Sequence, residues 1–143
     1  MIAHAFLLLL LATTTVRAPD GTTITAEIAA TGEERATGLM RRTTLARNSG
    51  MLFVFPAESI NQFWMKDTLI PLDMVWIDSR KRVIYVEKGA APCPVVRREC
   101  PSYGPSAPAL YVLELASGAA DRLGIKPGAI LTFQIPASVK VTD

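Results

Sequence analysis

Apolar and polar positions follow their clearest pattern in Asn61–Asp78, a run that contains no glycine. Its first half alternates as a half-buried strand does, with Phe63, Met65 and Leu69 on one side and Trp64, Lys66 and Thr68 on the other. The second half, Met74–Ile77, is apolar at every position, which predicts a central strand covered on both faces. Pro71 cannot donate a ladder hydrogen bond, so we expect a bend between the two halves.

The N-terminal part of the chain predicts a helix that leads into a core strand. Thr31 and Glu34 have the spacing of a capping box, and the apolar positions that follow predict a helix to about Arg41. Met51–Phe55 is wholly apolar and precedes Pro56, which indicates a core strand that ends at the proline. Gly38 interrupts this helix, and a glycine at that place suggests that the helix packs closely on the sheet.

The second half of the chain predicts more strands around a long loop. Asp78–Lys81 has the composition of a turn, so we expect it to close a hairpin between Met74–Ile77 and Val83–Glu87. Gly89–Pro108 is rich in proline and predicts an irregular loop. The last predicted elements are a strand, a helix capped by Ser117 and a final strand, at Ala109–Leu115, Ser117–Leu123 and Ala129–Ile135.

Together these elements predict an α+β fold in one domain that spans residues 14–143. The domain begins with a hairpin, because the alternating segments Thr14–Ala18 and Thr22–Ala29 flank the turn residues Pro19–Gly21. A chain of 143 residues is long enough to bury a core in a single domain. We expect a strongly bent or barrel-like, mostly antiparallel β-sheet that carries two short helices.

The N-terminus carries a short apolar run, Ala5–Ala12, that fits the central region of a signal peptide. This run is too short to span a bilayer, and no lysine or arginine precedes it. We interpret residues 1–13 as a signal peptide or an N-terminal anchor, and we expect export to the periplasm or the exterior. The cleavage position stays open, because a cut after Ala18 would remove the first strand whereas a cut near Ala12 would spare it.

Four segments of the chain resemble one protein family. FWMKDTLIPLD, at residues 63–73, resembles the FWMKNT-x-x-PLD signature of the bacterial and archaeal family called domain of unknown function 192. Three further segments match in order, RATGLMRR at Arg35–Arg42, GMLFVFP at Gly50–Pro56 and YVLELASGAADRLGIKPG at Tyr111–Gly128. The resemblance covers roughly Thr22 to Ile135 and implies a compact α+β domain dominated by β-structure. It implies no activity, and Asp67 departs from the usual asparagine.

Composition and charge disfavour several classes of function. The net charge of +2 is small and the basic residues are interspersed with acids, which disfavours nucleic-acid binding. The one histidine, His4, lies in the N-terminal segment, so a histidine-assisted nucleophile and an imidazole zinc site are not expected. No phosphate-binding or dinucleotide-binding glycine motif is present. We therefore expect neither a metal nor a cofactor.

Cys93 and Cys100 lie within the long loop and favour a disulfide, because the chain carries features of an exported protein. Closing so small a loop would stabilise the fold by about 2.5 kcal/mol in the chain-entropy model. The alternative is redox chemistry, in which Arg97 and Arg98 would lower a thiol pKa. The spacing is not Cys-x-x-Cys, so the disulfide is the favoured interpretation.

The central run also carries the candidate ligand-binding residues. Trp64 and Tyr103 would offer flat apolar surfaces, and polar groups would surround them. The candidate residues are Arg42, Trp64, Lys66, Asp67, Thr68, Asp73 and Tyr103. A saccharide, a cell-wall fragment or a peptide would suit such a surface. The competing interpretation places Trp64 in the core and pairs Lys66 with an aspartate that stabilises the bend.

Three functional hypotheses follow from these residues. The first is a small binding or accessory module of the cell envelope, whose partner is a small ligand or an envelope protein. The second is a carboxylate-dependent hydrolase that uses Asp73 with another acid, for which Asp67, Glu87 and Glu114 are available. The third is a structural interaction domain that binds through a sheet edge and has no concave pocket near Trp64. The sequence does not set the oligomeric state, and it predicts membrane contact only through an uncleaved N-terminal segment.

Overall fold

The computed structural model describes residues 10–94, 96–97 and 99–143. The strands are β1 Thr13–Arg17, β2 Thr23–Ala29, β3 Ser49–Ser59, β4 Phe63–Trp64, β5 Leu72–Ile77, β6 Val83–Ala90, β7 Ser102–Tyr103 and β8 Ala109–Ala116. The helices are α1 Gly32–Thr37 and α2 Ala119–Arg122. Most of the predicted apolar signal segment lies outside the described residues. Within these ranges, no helix has the length and apolar character needed to cross a membrane.

Six strands form one mixed sheet in the order β1-β2-β3-β8-β5-β6, and β4 pairs with β7 in a separate two-stranded sheet. All neighbouring strands are antiparallel except β2 and β3, which are parallel. The parallel pair follows from α1, because the chain crosses from the end of β2 back to the start of β3. The prediction of a mostly antiparallel sheet with two short helices is confirmed. The six-stranded sheet is not closed into a barrel.

Apolar side chains cover both faces of the six-stranded sheet, which gives the domain two core clusters. One cluster contains Leu52, Val75 and Leu113 and packs against the two buried alanines of α2, Ala119 and Ala120. The other cluster contains Met51, Phe53, Met65, Met74, Trp76 and Val112 and packs against residues of β4 and β7. β5 is buried at every position, which confirms the predicted central strand. The second cluster supports the candidate site described below.

α1 begins as predicted and ends earlier than predicted. The Thr31 hydroxyl accepts a hydrogen bond from the Glu34 backbone, and the Glu34 carboxylate accepts one from the Thr31 backbone, which confirms the capping box. The expected end near Arg41 is wrong, because the helix stops at Thr37 and Gly38 adopts a φ of +46°. A Cβ at Gly38 would lie 3.1 Å from the Phe53 ring, which is a tight contact, and the positive φ would strain any other residue there.

The central run departs from the predicted alternation at Asp67. Asp67 has a φ of +58°, and the backbone N–H of Thr68 donates to the carbonyl oxygen of Met65 in a turn. Thr68 is consequently buried, and Leu69, which was expected on the apolar side, is 46% exposed. The strand within this run is limited to Phe63–Trp64. A left-handed residue reverses the chain direction, and period-2 reasoning does not detect it.

Three boundaries in other strands and helices also differ from the predictions. β3 continues past Pro56 to Ser59, with an irregular register after Val54, because an exposed strand end tolerates proline. α2 has Gly118 rather than Ser117 as its N-cap and no side-chain cap from its own turn. The predicted last strand at 129–135 is wrong, since this segment makes only single bridges, Ile130 to Arg82 and Thr132 to Arg17.

The long loop between β6 and β8 is fixed by a disulfide. Cys93 and Cys100 are bonded, as predicted, and Cys93 is buried. The Cys93 carbonyl oxygen accepts a hydrogen bond of 3.0 Å from the Asp67 backbone N–H, and the Cys93 N–H donates to Met65 at 3.3 Å. The disulfide loop therefore holds the segment that carries Trp64 and Lys66.

Candidate functional site

A cleft of about 300 Å³ lies between the end of α1 and β4. Aromatic rings make up much of one wall, and the polar side chains in the lining belong to Arg35, Thr37, Gln62, Lys66, Thr68 and Glu114. The volume falls at the lower end of the range typical of small-molecule sites. An apolar cleft with few polar groups is the usual form of a ligand site.

Packed phenylalanines build the aromatic wall. The ring of Phe63 meets the ring of Phe53 edge to face, with 4.8 Å between centroids, and meets Phe55 at 6.2 Å. Phe53 is fully buried and comes from β3, whereas Phe63 comes from β4 and is partly exposed. The separate two-stranded sheet therefore acts as one side of the cleft, and the main sheet acts as its floor.

Trp64 and Lys66 form the rim of the cleft. Trp64 is 50% exposed, so the interpretation of Trp64 as a core residue is wrong. The Lys66 ammonium lies 5.1 Å from the centroid of the Trp64 ring, in a cation–π contact. Lys66 makes no salt bridge within the described part of the chain, so the expected lysine–aspartate pair is also wrong. Thr68 is buried, and its hydroxyl lies 3.4 Å from the Lys66 carbonyl oxygen as a donor.

Glu114 lies at the floor of the cleft and is 4% exposed. Burial raises the pKa of its carboxyl to about 8, and burial is the sole cause of the shift. No hydrogen bond to this carboxyl comes from residues 10–94, 96–97 or 99–143. An acidic side chain is almost never fully buried without a partner, so Glu114 is the most unusual polar group of the site.

Strand register explains the isolation of Glu114. Residues that face one another across β2, β3, β8, β5 and β6 form a row of alternating acids and methionines, Glu27, Met51, Glu114, Met74 and Glu87. The two outer acids have partners, because Arg42 binds Glu27 and the Tyr85 hydroxyl donates to Glu87 at 2.7 Å. The methionines on both sides of Glu114 are fully buried and carry no charge.

The structure brings three of the predicted ligand-binding residues together in the cleft, namely Trp64, Lys66 and Thr68. The others lie elsewhere. Arg42 forms its ion pair with Glu27, and Asp67 faces Arg41, with 3.7 Å between charged atoms. Tyr103 pairs with Phe63 in the small sheet and packs against the core instead of lining the cleft.

Asp73 is buried on the opposite face of the main sheet. One carboxylate oxygen accepts a hydrogen bond of 2.8 Å from the Gly89 N–H, and the other accepts bonds of 3.0 and 2.9 Å from the N–H groups of Gly118 and Ala120. Asp73 thereby supplies the cap of α2 that was expected from Ser117. Because Asp73 and Glu114 lie on different faces, they do not face each other across one site.

The sequence carries a signal for Glu114 as a site residue. Tyr111–Ala116 is apolar apart from this one acid, which stands at a position that faces the core. The hypotheses drawn from the sequence include Glu114 only among several acids for a hydrolase, and they do not predict the lining residues Phe53 and Arg35. Among the described residues, no three His, Cys, Asp or Glu side chains cluster in a way that could hold a metal ion.

Comparison with known proteins identifies the family of the chain. No curated protein matches the sequence. A crystal structure of a protein of unknown function from Novosphingobium aromaticivorans DSM 12444 shares 35% identity over 85% of this chain and 84% of that chain, with a TM-score of 0.74. A Sinorhizobium meliloti 1021 structure described as a putative transcription regulator shares 33% identity over 85% and 92%, with a TM-score of 0.72. The family model DUF192, described as Uncharacterized ACR, matches residues 14–133, and the chain belongs to this family.

Proposed function

We propose that this protein is a small-ligand-binding module of the cell envelope and that its binding site is the cleft between α1 and β4. The observation that carries the proposal is Glu114, a buried acid at the floor of an apolar cleft whose carboxyl has no hydrogen-bond partner among the residues that the structure describes. Burying such a group without a hydrogen bond is unfavourable for folding. A ligand that bonds to the carboxyl would supply the missing partner.

The cleft has the composition that suits a saccharide, a cell-wall fragment or a peptide. Trp64 presents an exposed ring at the rim, and Phe53, Phe55 and Phe63 continue the apolar surface inwards. Flat rings pack against sugar rings or apolar side chains, and a few polar groups set the orientation of the bound molecule. Lys66 and Glu114 are placed to supply such polar contacts at the rim and at the floor.

Export to the envelope remains part of the proposal. The bond between Cys93 and Cys100 is of a kind that persists in oxidising compartments. β1 begins at Thr13, so cleavage near Ala12 would leave the sheet intact, whereas cleavage after Ala18 would remove the edge strand. We therefore expect the mature protein to begin close to Thr13, which N-terminal sequencing of the exported protein would test.

A ligand screen followed by site-directed variants tests the binding role. The oxidised protein is titrated with saccharides, cell-wall fragments and short peptides while backbone amide shifts are recorded by NMR. The expected result is a set of shifts around the cleft that is lost in Trp64→Ala and kept in Leu69→Ala, a matched exposed apolar residue that does not line the cleft. Equal binding by both variants, or shifts confined to another surface, would overturn the proposal.

The two alternative functions receive less support. A hydrolase based on Asp73 needs a second acid within reach, but Asp73 is fully used by three backbone N–H groups on the far face of the sheet. The structural interaction hypothesis expected no concave pocket near Trp64, and a cleft lies beside this residue. The binding role is therefore the function that the geometry favours.

A further inference from the structure

We propose that the ligand of the cleft is a small organic acid whose carboxylate pairs with Lys66 at the rim while another oxygen of the ligand bonds to Glu114 at the floor. This inference rests on the proposed function, because it assigns a charge class to the ligand of the same cleft. Sugar acids and aromatic acids both carry such a carboxylate, and either class of molecule would fit this description.

The described side chains that line the cleft favour a negatively charged ligand. Three ionisable side chains line the cleft, Arg35, Lys66 and Glu114. The pKa of Glu114 is raised to about 8 by burial, so its carboxyl is mostly protonated at pH 7. The lining then carries two positive charges and little negative charge. Because the walls are apolar, this potential is screened less than it would be in water, so the cleft attracts anions and repels amines.

Only one of the two cations is available to pair with a ligand. The Arg35 guanidinium donates hydrogen bonds to the carbonyl oxygens of Ala30, Val54 and Thr142, so it is fixed by the fold and contributes mainly its charge. Lys66 is exposed, and its ammonium makes no hydrogen bond or salt bridge to any residue that the structure describes. Its contact with Trp64 places the ammonium beside the aromatic rim, where a ligand carboxylate would meet it.

Glu114 supplies the second contact as a neutral acid. A protonated carboxyl has one O–H donor and a free acceptor, so it can bond to a hydroxyl or a carbonyl oxygen of the ligand. The other charged groups that line the cleft are Lys66 and Arg35, and Glu27 and Glu87 lie along the sheet, each acid separated from Glu114 by a buried methionine. Ionisation of Glu114 would add a negative charge beside an anionic ligand, so binding should weaken above about pH 8.

Two matched series of ligands test the charge class. The first is D-glucuronate, D-glucose and D-glucosamine, and the second is phenylacetate, 2-phenylethanol and 2-phenylethylamine, each titrated into the full oxidised chain by NMR at pH 7. We expect an acid to bind about fivefold more tightly than its neutral counterpart, and more tightly still than its amine, because the ion pair with the exposed Lys66 is partly screened by solvent and the amine is repelled by the cations of the lining. Lys66→Met should remove this preference, and Lys88→Met, an exposed lysine paired with Asp121, should keep it.

The pH dependence of ligand affinity separates the contribution of Glu114 from that of Lys66. Between pH 7 and pH 9 the affinity of the wild-type protein for the acid should fall several-fold, while Glu114→Gln should bind with little change over this range, because an amide does not ionise. Equal or tighter binding of a neutral or amine ligand would overturn the acid inference and leave the binding role intact. Failure of all six ligands would also overturn it, and the proposed function would fail only if the wider screen gave no cleft ligand.

Discussion

Replacement of Glu114 by glutamine should stabilise the protein increasingly as the pH rises. The folded protein keeps the proton of Glu114 up to about pH 8, whereas the unfolded chain releases it near the ordinary pKa of 4.5. Between these values the folded state binds more protons, so the free energy of unfolding falls as pH increases. From pH 5 to pH 9 this one group should lower wild-type stability by about 4 kcal/mol. Glutamine has nearly the same shape and does not ionise, so the variant should escape that loss.

Urea unfolding at intervals from pH 5 to pH 9 measures this effect, with the fluorescence of Trp76 as the probe because its ring is fully buried. The decisive quantity is the difference in unfolding free energy between Glu114→Gln and the wild type at each pH. Glu99→Gln provides the control, because Glu99 is exposed and the same acid-to-amide change there involves no burial of the side chain. A Glu114→Gln difference that stays constant to within about 1 kcal/mol would refute the argument that burial controls this carboxyl.

Three further perturbations have expected outcomes on stability, each measured by urea unfolding at pH 7. Asp73→Asn should lower the unfolding free energy by about 3 kcal/mol, because an amide cannot accept all three backbone N–H bonds, and an unchanged stability would contradict the capping role. Replacing Cys93 and Cys100 together by alanine should lower it by about 2.5 kcal/mol through the freed loop, and a stability equal to that of the oxidised protein would contradict this estimate. Trp76→Ala should lose about 3–5 kcal/mol, whereas Trp64→Ala should change stability by less than about 1 kcal/mol, and similar losses would contradict their different burial.

Local patterns were sufficient for most of the strands. β5 is a run of apolar residues buried on both faces, and its position between two antiparallel strands is what such a run indicates. The capping box at Thr31 could also be predicted from the sequence, because its two hydrogen bonds join residues three positions apart. Each of these features depends on neighbours in sequence, so no knowledge of the tertiary fold was needed.

The errors fall where distant residues determine the local structure. Ser117 has the right residue type for a helix cap, but Asp73 on β5 reaches the same N–H groups and replaces it. The segment 129–135 is apolar and β-branched, yet it meets other strands at single bridges only. In both cases the residue types fit the predicted local structure. The tertiary fold determined which groups these residues contact.

Asp67 shows how a signature residue can be explained by backbone geometry. Its positive φ favours asparagine and aspartate, which tolerate the left-handed conformation. Its backbone N–H donates to Cys93 and its carbonyl oxygen accepts from Arg41, so it joins the central run to two loops. The similarity between this aspartate and the asparagine of the family signature therefore has a conformational reason, and the side chain does not line the cleft.

The candidate site was predictable in part for a related reason. Trp64, Lys66 and Thr68 are close in sequence, so their convergence on one cleft required only a local turn. Glu114 reaches the same cleft from β8, and its role depends on the strand order that places β8 between β3 and β5. Its burial, and the absence of a hydrogen-bond partner for it within residues 10–94, 96–97 and 99–143, are visible only when both neighbouring strands are in place.

Asp73 and Glu114 are buried acids on the adjacent strands β5 and β8, and their carboxyl groups have different surroundings. Asp73 accepts three backbone hydrogen bonds and thereby holds α2 and the end of β6 against the sheet, so both of its carboxyl oxygens have partners within the fold. Glu114 is buried to a similar degree, yet burial alone determines its pKa. An apolar residue at that position would pack between Met51 and Met74 without the loss of stability that the acid causes at neutral pH. An acid that weakens the fold and faces a cleft is best explained by a role in binding a ligand. Glu114 meets this description, whereas Asp73 has a structural role.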